Sequence, residues 1–370
     1  MVIFMLTGTV AQAQITEDTK ISLLTCRPGD EIYNSFGHTA IRVQDQTKEI
    51  DIIYNYGLFS FSEPGFVMKF LRGKLNYWLG TERYLDFVNN YSEQKRSVIE
   101  QELNLSVDQK RKIFNALQEN MRPENRRYQY DFFFDNCSTR PRDLIMDNIP
   151  LKWPEESQAI TFRSMLDIYL QGKPWTDFGI DLIIGSGADS LANTFDQMFL
   201  PEFLMDKLDA AQTENQSLVS NTRMLVDYES MRENRNSSTV FTPLFVAFVF
   251  LFTELMLFLG IGKKNEKILR INDKVFFGLF GLGGLIIMFM WFGTDHEATS
   301  KNMNLLWLNP LFLLLLFKRS PKVIWTLMVM LVLALSQSIF IQYLHPASIL
   351  LIVFVFLKLL RYTAKEPLKS

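Results

Sequence analysis

Asn136-Cys137-Ser138 is the point in this chain where a side chain is best set to act as a nucleophile. It lies between an aromatic, strand-like run over 128–134 and a helix-like run over 139–149, so the thiol is expected at the start of a helix. There the positive end of the macrodipole and unpaired backbone amides favour thiolate, and the same amides can hold an oxyanion. Asn136, Ser138 and Thr139 are the residues expected to line that oxyanion site. Pro141 sharpens the placement, because a residue without an amide hydrogen is tolerated only in a first helical turn. A cysteine seen alone is more often a small buried hydrophobe. What argues for chemistry is a second motif upstream.

That motif is Asn34-Ser35-Phe36-Gly37-His38-Thr39-Ala40-Ile41-Arg42-Val43, where small residues lead into an alternating, strand-like run with His38 at its start. The next run, Ile50-Asp51-Ile52-Ile53-Tyr54-Asn55-Tyr56-Gly57, is β-branched and aromatic, and the polar stretch 44–49 between them reads as a hairpin turn. A turn centred on Gln46 and Thr47 places Arg42 opposite Asp51 and His38 opposite Asn55. In that register Arg42 and Asp51 form a cross-strand charge pair, and the Asn55 amide orients the His38 ring. Cys137, His38 and Asn55 then make a thiol, imidazole and polar trio.

Histidine first and cysteine later reverses the order of ordinary papain-like hydrolases. It resembles the permuted papain-like (NlpC/P60-LRAT-like) thiol fold of the lecithin:retinol acyltransferase-like enzymes, with histidine on an early strand and cysteine opening a later helix after Asn. The closer resemblance is to bacterial membrane proteins carrying the Lnb N-terminal periplasmic domain, which look like lipoprotein N-acyltransferases. It rests on Leu23-Leu24-Thr25-Cys26-Arg27-Pro28-Gly29, Ser35-Phe36-Gly37-His38-Thr39-Ala40-Ile41-Arg42-Val43, Tyr54-Asn55-Tyr56-Gly57, Asp135-Asn136-Cys137-Ser138-Thr139-Arg140 and the C-terminal apolar spans. The resemblance implies Cys137 as nucleophile, His38 as base and no cofactor. It also implies a membrane phospholipid as acyl donor and the α-amine of a diacylglyceryl lipoprotein as acceptor, in the bacterial inner membrane.

Organisation agrees with a two-part protein. Of 370 residues, 48% are hydrophobic, yet charged, mixed sequence persists to about 238 and long apolar blocks follow 241. The expected division is a signal-peptide remnant over 1–13, an α+β soluble domain over 14–238 and a helical membrane domain over 239–370. Ala11-Gln12-Ala13 fits signal cleavage, although the apolar run before it is short and lacks a basic start. A net charge of −2 gives no reason to expect nucleic acid. Export implies an oxidising compartment, where Cys26 and Cys137 can pair instead of reacting. Within the soluble part, 82–91 has helical spacing, 97–105 reads as a strand, and Ser106-x-x-Gln109 is a capping box for a helix ending before Pro123. Residues 156–235 read as mainly helical, interrupted over 179–185 by a strand or a membrane-contacting loop.

Five spans are expected, near 242–261, 275–293, 305–317, 323–343 and 347–360. Lys263, Lys264, Lys267, Arg270 and Lys274 in the first loop, Lys318, Arg319 and Lys322 in the third, and Lys358, Arg361 and Lys365 at the end mark the cytoplasmic side. The soluble domain and the loop 294–304 then share the opposite side. Asp295, His296, Glu297, Asn302, Asn304 and Trp307 are therefore candidate substrate-binding residues. Asp295, His296 and Glu297 are contiguous and cannot readily converge on one ion, so no metal is expected. A membrane-tethered cysteine hydrolase and a disulfide-bonded envelope protein without catalytic activity are the rival readings.

Overall fold

The computed structural model describes residues 15–153, 159–214, 216–228, 240–261 and 265–364. The signal-like start, the connector at 229–239, Lys263, Lys264 and Lys365 lie outside the described residues.

Alternating apolar residues build a seven-stranded antiparallel sheet. Its strands are β1 (Lys20–Cys26), β2 (His38–Asp45), β3 (Ile50–Leu58), β4 (Asn76–Arg83), β5 (Val98–Leu103), β6 (Arg127–Gln129) and, after four two-residue strands, β11 (Val219–Val226). Those short strands pair as Ile160–Thr161 (β7) with Leu191–Ala192 (β8), and Gln212–Thr213 (β9) with Gln216–Ser217 (β10). The main sheet runs β11-β5-β1-β2-β3-β4-β6. Ile21, Leu23, Ile41, Val43, Tyr54 and Tyr56 pack on one face with Ile113, Phe114 and Leu117 of α3 (Val107–Asn120) and Leu144 and Ile145 of α4 (Thr139–Asn148). The alternate residues Leu24, Cys26, Ala40 and Ile53 face Phe87 and Tyr91 of α2 (Tyr84–Glu93). α3 carries the expected capping box between Ser106 and Gln109.

The β2–β3 hairpin is paired two residues away from the expected register. Ala40 faces Asn55, Arg42 faces Ile53 and Gln44 faces Asp51. The turn is a 3-10 segment, Gln46–Lys48, capped by the Asp45 carboxylate and closed by Glu49 at φ 54°. A slip of two keeps every side chain on its own face of the sheet. Arg42 therefore still reaches Asp51 diagonally, Nη2 to Oδ2 at 2.6 Å, and lies 3.5 Å over the Tyr84 ring.

Four further expectations are corrected. The helix expected over 82–91 begins only at Tyr84, because β4 continues to Arg83. The strand expected over 128–134 ends at Gln129, after which the Asp131–Asp135 bridge closes a turn. Residues 156–235 are helical only in part: α5 (Phe162–Leu170), α6 (Pro174–Ile183), α7 (Thr194–Gln197) and α8 (Pro201–Ala210) give way to β9, β10 and β11. Most of the segment 179–185 is the end of α6, where Asp181 makes a buried 2.5 Å ion pair with Arg163 of α5.

The C-terminal part is a helical bundle containing α9 (Pro243–Phe258), α10 (Glu266–Phe292), α12 (Pro321–Gln337) and α13 (Pro346–Ala364). Two of these, Glu266–Phe292 and Pro346–Thr363, are long and apolar enough to cross a bilayer; α9 and α12 are apolar but shorter. α10 starts earlier than expected, so Lys267, Arg270 and Lys274 ride on a helix and not in a loop. The stretch expected as a span over 305–317 is not one helix. It passes through two 3-10 turns, Met303–Leu306 and Pro310–Leu313, into the short α11 (Leu314–Phe317). Its backbone lies directly against α10, where a Cβ on Gly284 would fall 2.6 Å from the Leu308 carbonyl. Irregular backbone of this kind is tolerated in an apolar bundle when protein covers it.

Glu254, Asp273, Lys358 and Arg361 form a fully buried quartet linking α9, α10 and α13. Lys358 Nζ lies 3.0 Å from both Glu254 and Asp273, and Arg361 binds the same two carboxylates at 2.6 and 2.5 Å. Lys358 and Arg361 are thus internal partners and not free charges at the end of the chain. Isolated charges are too costly to hold in such a place, whereas two acids against two bases are balanced.

The two parts are fastened by side-chain amides. Asn302 Nδ2 donates to the Leu182 and Ile183 carbonyls at 2.9 and 2.8 Å, and Asn304 Nδ2 donates to Asp181 O at 2.9 Å. These are the orphan carbonyls at the end of α6. Trp307 Nε1 in turn donates to Asn304 Oδ1 at 2.8 Å. Asn302, Asn304 and Trp307, expected to face substrate, are instead buried in this joint and closed to ligand.

Candidate active site

β3 is irregular at Gly57. Its regular pairing with β4 is interrupted between Asn55 and Leu58, and Gly57 has φ 84°, a conformation that a side chain would strain. A Cβ there would lie 3.4 Å from Cys137 Cβ and 3.8 Å from the Tyr128 hydroxyl and the Tyr130 ring. The loop that opens α4 inserts Cys137 into this gap. The backbone amides of Thr39, the residue after His38, and of Cys137 itself lie near the sulfur and favour its charged form. One residue further along, Ser138 Oγ and Thr39 Oγ1 lie 2.9 Å apart in a buried contact. Cys137 and His38 are thus set at neighbouring points, and both keep partial solvent exposure.

Asn136 holds the loop. Its Oδ1 accepts from the Ser138 and Thr139 amides at 2.7 and 3.0 Å, while its Nδ2 donates to Phe132 O at 2.8 Å and Phe199 O at 3.0 Å. The expectation that Ser138 and Thr139 amides bind an oxyanion is therefore corrected: the Asn136 side chain already occupies both. Donors aimed at the sulfur come instead from Thr39 and Cys137. The Tyr128 hydroxyl, buried beside Gly57 without a hydrogen-bond partner among the described residues, is a third donor in the same place.

The imidazole has a defined orientation. Asn55 Nδ2 donates to Glu82 Oε1, which turns Asn55 Oδ1 toward His38 Nε2 at 2.9 Å. An amide oxygen only accepts, so Nε2 carries the proton and Nδ1 keeps its lone pair as a base. Burial pushes the His38 pKa down to about 4; the Asn55 bond opposes this, and the Arg96 cation adds to it. Burial likewise pushes the Cys137 thiol up to about 11, against the lowering by the Thr39 and Cys137 amides and Arg96. The expected thiolate is thus corrected, because loss of solvation outweighs the amides. Both shifts favour a neutral thiol and a neutral imidazole over an ion pair.

Glu82 and Arg96 were not visible as site residues in the sequence. Glu82 lies on the strand after the hairpin, and only the β3–β4 pairing brings it to Asn55. Arg96 follows Lys95, which has φ 53°; its Nε donates to Arg27 O at 2.9 Å, and its Nη2 is buried without a partner among the described residues. Catalysis through a neutral imidazole should survive well below pH 6.5 and fail only as the pH drops through about 4, where His38 gains a proton. In Arg96→Met the opposing cation is gone, His38 binds its proton more readily, and the acid limb should move to higher pH. A pH profile of kcat/KM checks both; a wild-type limb near 6.5, or one unmoved in the variant, contradicts the assignment.

Cys26, directly opposite His38 in the β1–β2 pairing, is fully buried and its thiol is pushed up to about 12, chiefly by burial. Both cysteines are free, so the structure does not contain the disulfide of the envelope-protein alternative. Asp295 and His296 meet the β3–β4 connection, and Glu297 opens the 3-10 turn that follows them. There Lys74 approaches Asp295 at 3.6 Å, and His296 Nε2 bonds Phe70 O at 2.9 Å.

The chain thus joins an apolar helical bundle to an α+β domain in which β2 carries an imidazole oriented by Asn55 and the loop before α4 carries a thiol at Gly57. A model of the Lnb N-terminal periplasmic domain matches residues 10–167, and a model of the Lnb transmembrane domain matches residues 234–366. The chain belongs to the Lnb family, with a periplasmic domain followed by a transmembrane domain. No curated protein and no solved structure matches it.

Proposed function

We propose that this protein is a lipoprotein N-acyltransferase that carries an acyl chain from a phospholipid, through a thioester on Cys137, to the α-amine of a lipoprotein's diacylglyceryl cysteine. The observation that carries the reading is that the oriented His38–Asn55–Glu82 chain and Cys137 both meet β3 around its irregularity at Gly57, in a domain fastened to an apolar bundle. The soluble domain is read as a permuted papain-like fold, and the bundle as a multi-pass inner-membrane domain crossing five times, the interrupted segment before Lys318 included.

In the first half-reaction His38 Nδ1 takes the thiol proton as sulfur attacks the ester carbonyl. The Thr39 and Cys137 amides and the Tyr128 hydroxyl stabilise the oxyanion. The carbon–oxygen bond then breaks, His38 returns the proton to the glycerol oxygen, and lysophospholipid leaves. In the second, the lipoprotein amine attacks the thioester, His38 takes a proton from nitrogen, the carbon–sulfur bond breaks, and sulfur recovers a proton. The sum is ester plus amine giving amide plus alcohol. Donor and acceptor are both anchored in a bilayer, so a thiol held at its surface gains by proximity.

The test is intact-mass analysis of the full chain in vesicles of phosphatidylethanolamine with one defined acyl composition. The expected result is one added acyl group on Cys137, removed by hydroxylamine and discharged by a diacylglyceryl lipopeptide with a free amine. Discharge to water alone would favour the hydrolase, and absence of any thioester would overturn the mechanism.

A further inference from the structure

The connection between β3 and β4 contains α1 (Phe66–Leu71), a helix with no buried residue. Apolar side chains face outward all along this connection: Phe61 is 70% exposed, Val67 67% and Met68 57%, and Phe70 and Leu71 are exposed as well. A cluster of this size is unusual on a surface meant for water alone.

Its position indicates what covers it. In the last turn of α1 Phe70 O accepts from His296 Nε2 at 2.9 Å, and just after the helix Arg72 O accepts from the Asp295 amide at 2.9 Å and Lys74 approaches Asp295. Asp295 and His296 follow directly on the end of α10, the longest apolar helix, whose last residues are the stacked pair Trp291 and Phe292. A Trp at the end of an apolar helix marks the level of lipid headgroups. The exposed cluster is thus tied to the rim of the bundle, at the depth where α10 leaves the apolar layer.

From that cluster a line of aromatic rings leads inward. Phe61 and Phe59 have centroids 5.0 Å apart, Phe59 and Tyr77 5.4 Å, and Tyr77 and Tyr130 4.6 Å. Tyr130 borders Gly57, which borders Cys137. Phe59, Tyr77 and Tyr130 are all half-buried, so the line is a surface track and not a sealed core.

We propose that residues 59–71 dip into the outer leaflet, and that Phe61, Phe59, Tyr77 and Tyr130 guide a phospholipid acyl chain from the bilayer to Cys137. The second half of this rests on the transferase reading; the first does not. Rings can offer an apolar wall at little cost in conformational entropy, and the missing side chain at Gly57 leaves room where the track meets the sulfur.

The experiment uses the full chain in vesicles containing a phospholipid with a photoactivatable diazirine at the end of one acyl chain, with adducts mapped by mass spectrometry. Adducts on 59–71 and on Tyr77 or Tyr130 are expected, and in Cys137→Ala as well as wild type. Adducts confined to the bundle helices would overturn the proposal even if Cys137 becomes acylated. Adducts on 59–71 with no thioester would uphold leaflet contact while removing the transferase reading. A second variant, V67S/M68S, changes only exposed side chains of α1 that lie outside the line of rings. It is expected to slow acylation of Cys137 from vesicles at least tenfold, while acylation from a water-soluble short-chain thioester stays within twofold. Equal loss with both donors would overturn the track.

Discussion

Cys137→Ala should produce no transfer product, a loss on the order of 10^4-fold or more in kcat/KM, because no other group in the gap can form the covalent intermediate. The fold should remain, since the side chain is small and partly exposed and the loop is held by Asn136 rather than by the thiol. Unchanged circular dichroism and thermal midpoint, together with loss of the lipopeptide product by mass spectrometry, would establish the role. Equal product from the variant would remove Cys137 from the mechanism. His38→Ala should cost about 10^2 to 10^4-fold, the usual range for a positioned general base. Asn55→Ala should do less, because it frees the ring to rotate without removing its lone pair. The distinguishing sign is order: acylation and discharge should both slow in His38→Ala, since the imidazole moves a proton in each.

The second large effect is on stability. Lys358→Met should destabilise the bundle by about 3–5 kcal/mol, because Glu254 and Asp273 would face Arg361 alone in a fully buried place. For a chain of 370 residues that corresponds to a fall of about 5 °C in midpoint, read by thermal unfolding of the detergent-solubilised protein. Glu254→Gln combined with Lys358→Met restores the balance of charge and should recover much of the loss. A single variant that melts within about 2 °C of wild type would show that the quartet does not hold the bundle together. The effect should leave the soluble site intact, since the quartet binds α9, α10 and α13 to one another and touches none of the residues around Cys137.

These expectations differ in how much of them a reader of the sequence can see. The hairpin of β2 and β3 was legible because alternation is a local property, and its two-residue slip did no harm because side chains alternate with a period of two. His38 therefore met Asn55, and Arg42 met Asp51, in a register that differs from the expected one. The loop 294–304 is the opposite case. Its polarity marked Asn302, Asn304 and Trp307 as unusual, but polarity does not say whether a side chain meets a ligand or the open end of another helix. The tertiary structure decides this, because the carbonyls that Asn302 and Asn304 cap belong to α6, more than a hundred residues earlier, and Trp307 in turn donates to Asn304.

Sequence alone determined the helix start after Cys137, the early strand with His38, the capping box of α3 and the change from mixed to apolar composition. Each follows from residues close together in the chain. Only the tertiary structure decided that Asn136 occupies the amides of Ser138 and Thr139, that Asn55 is held by Glu82, and that burial pushes the thiol pKa up. The reason is physical: hydrogen-bond competition and loss of solvation depend on what the folded chain brings from elsewhere, and no local pattern of residue types records that.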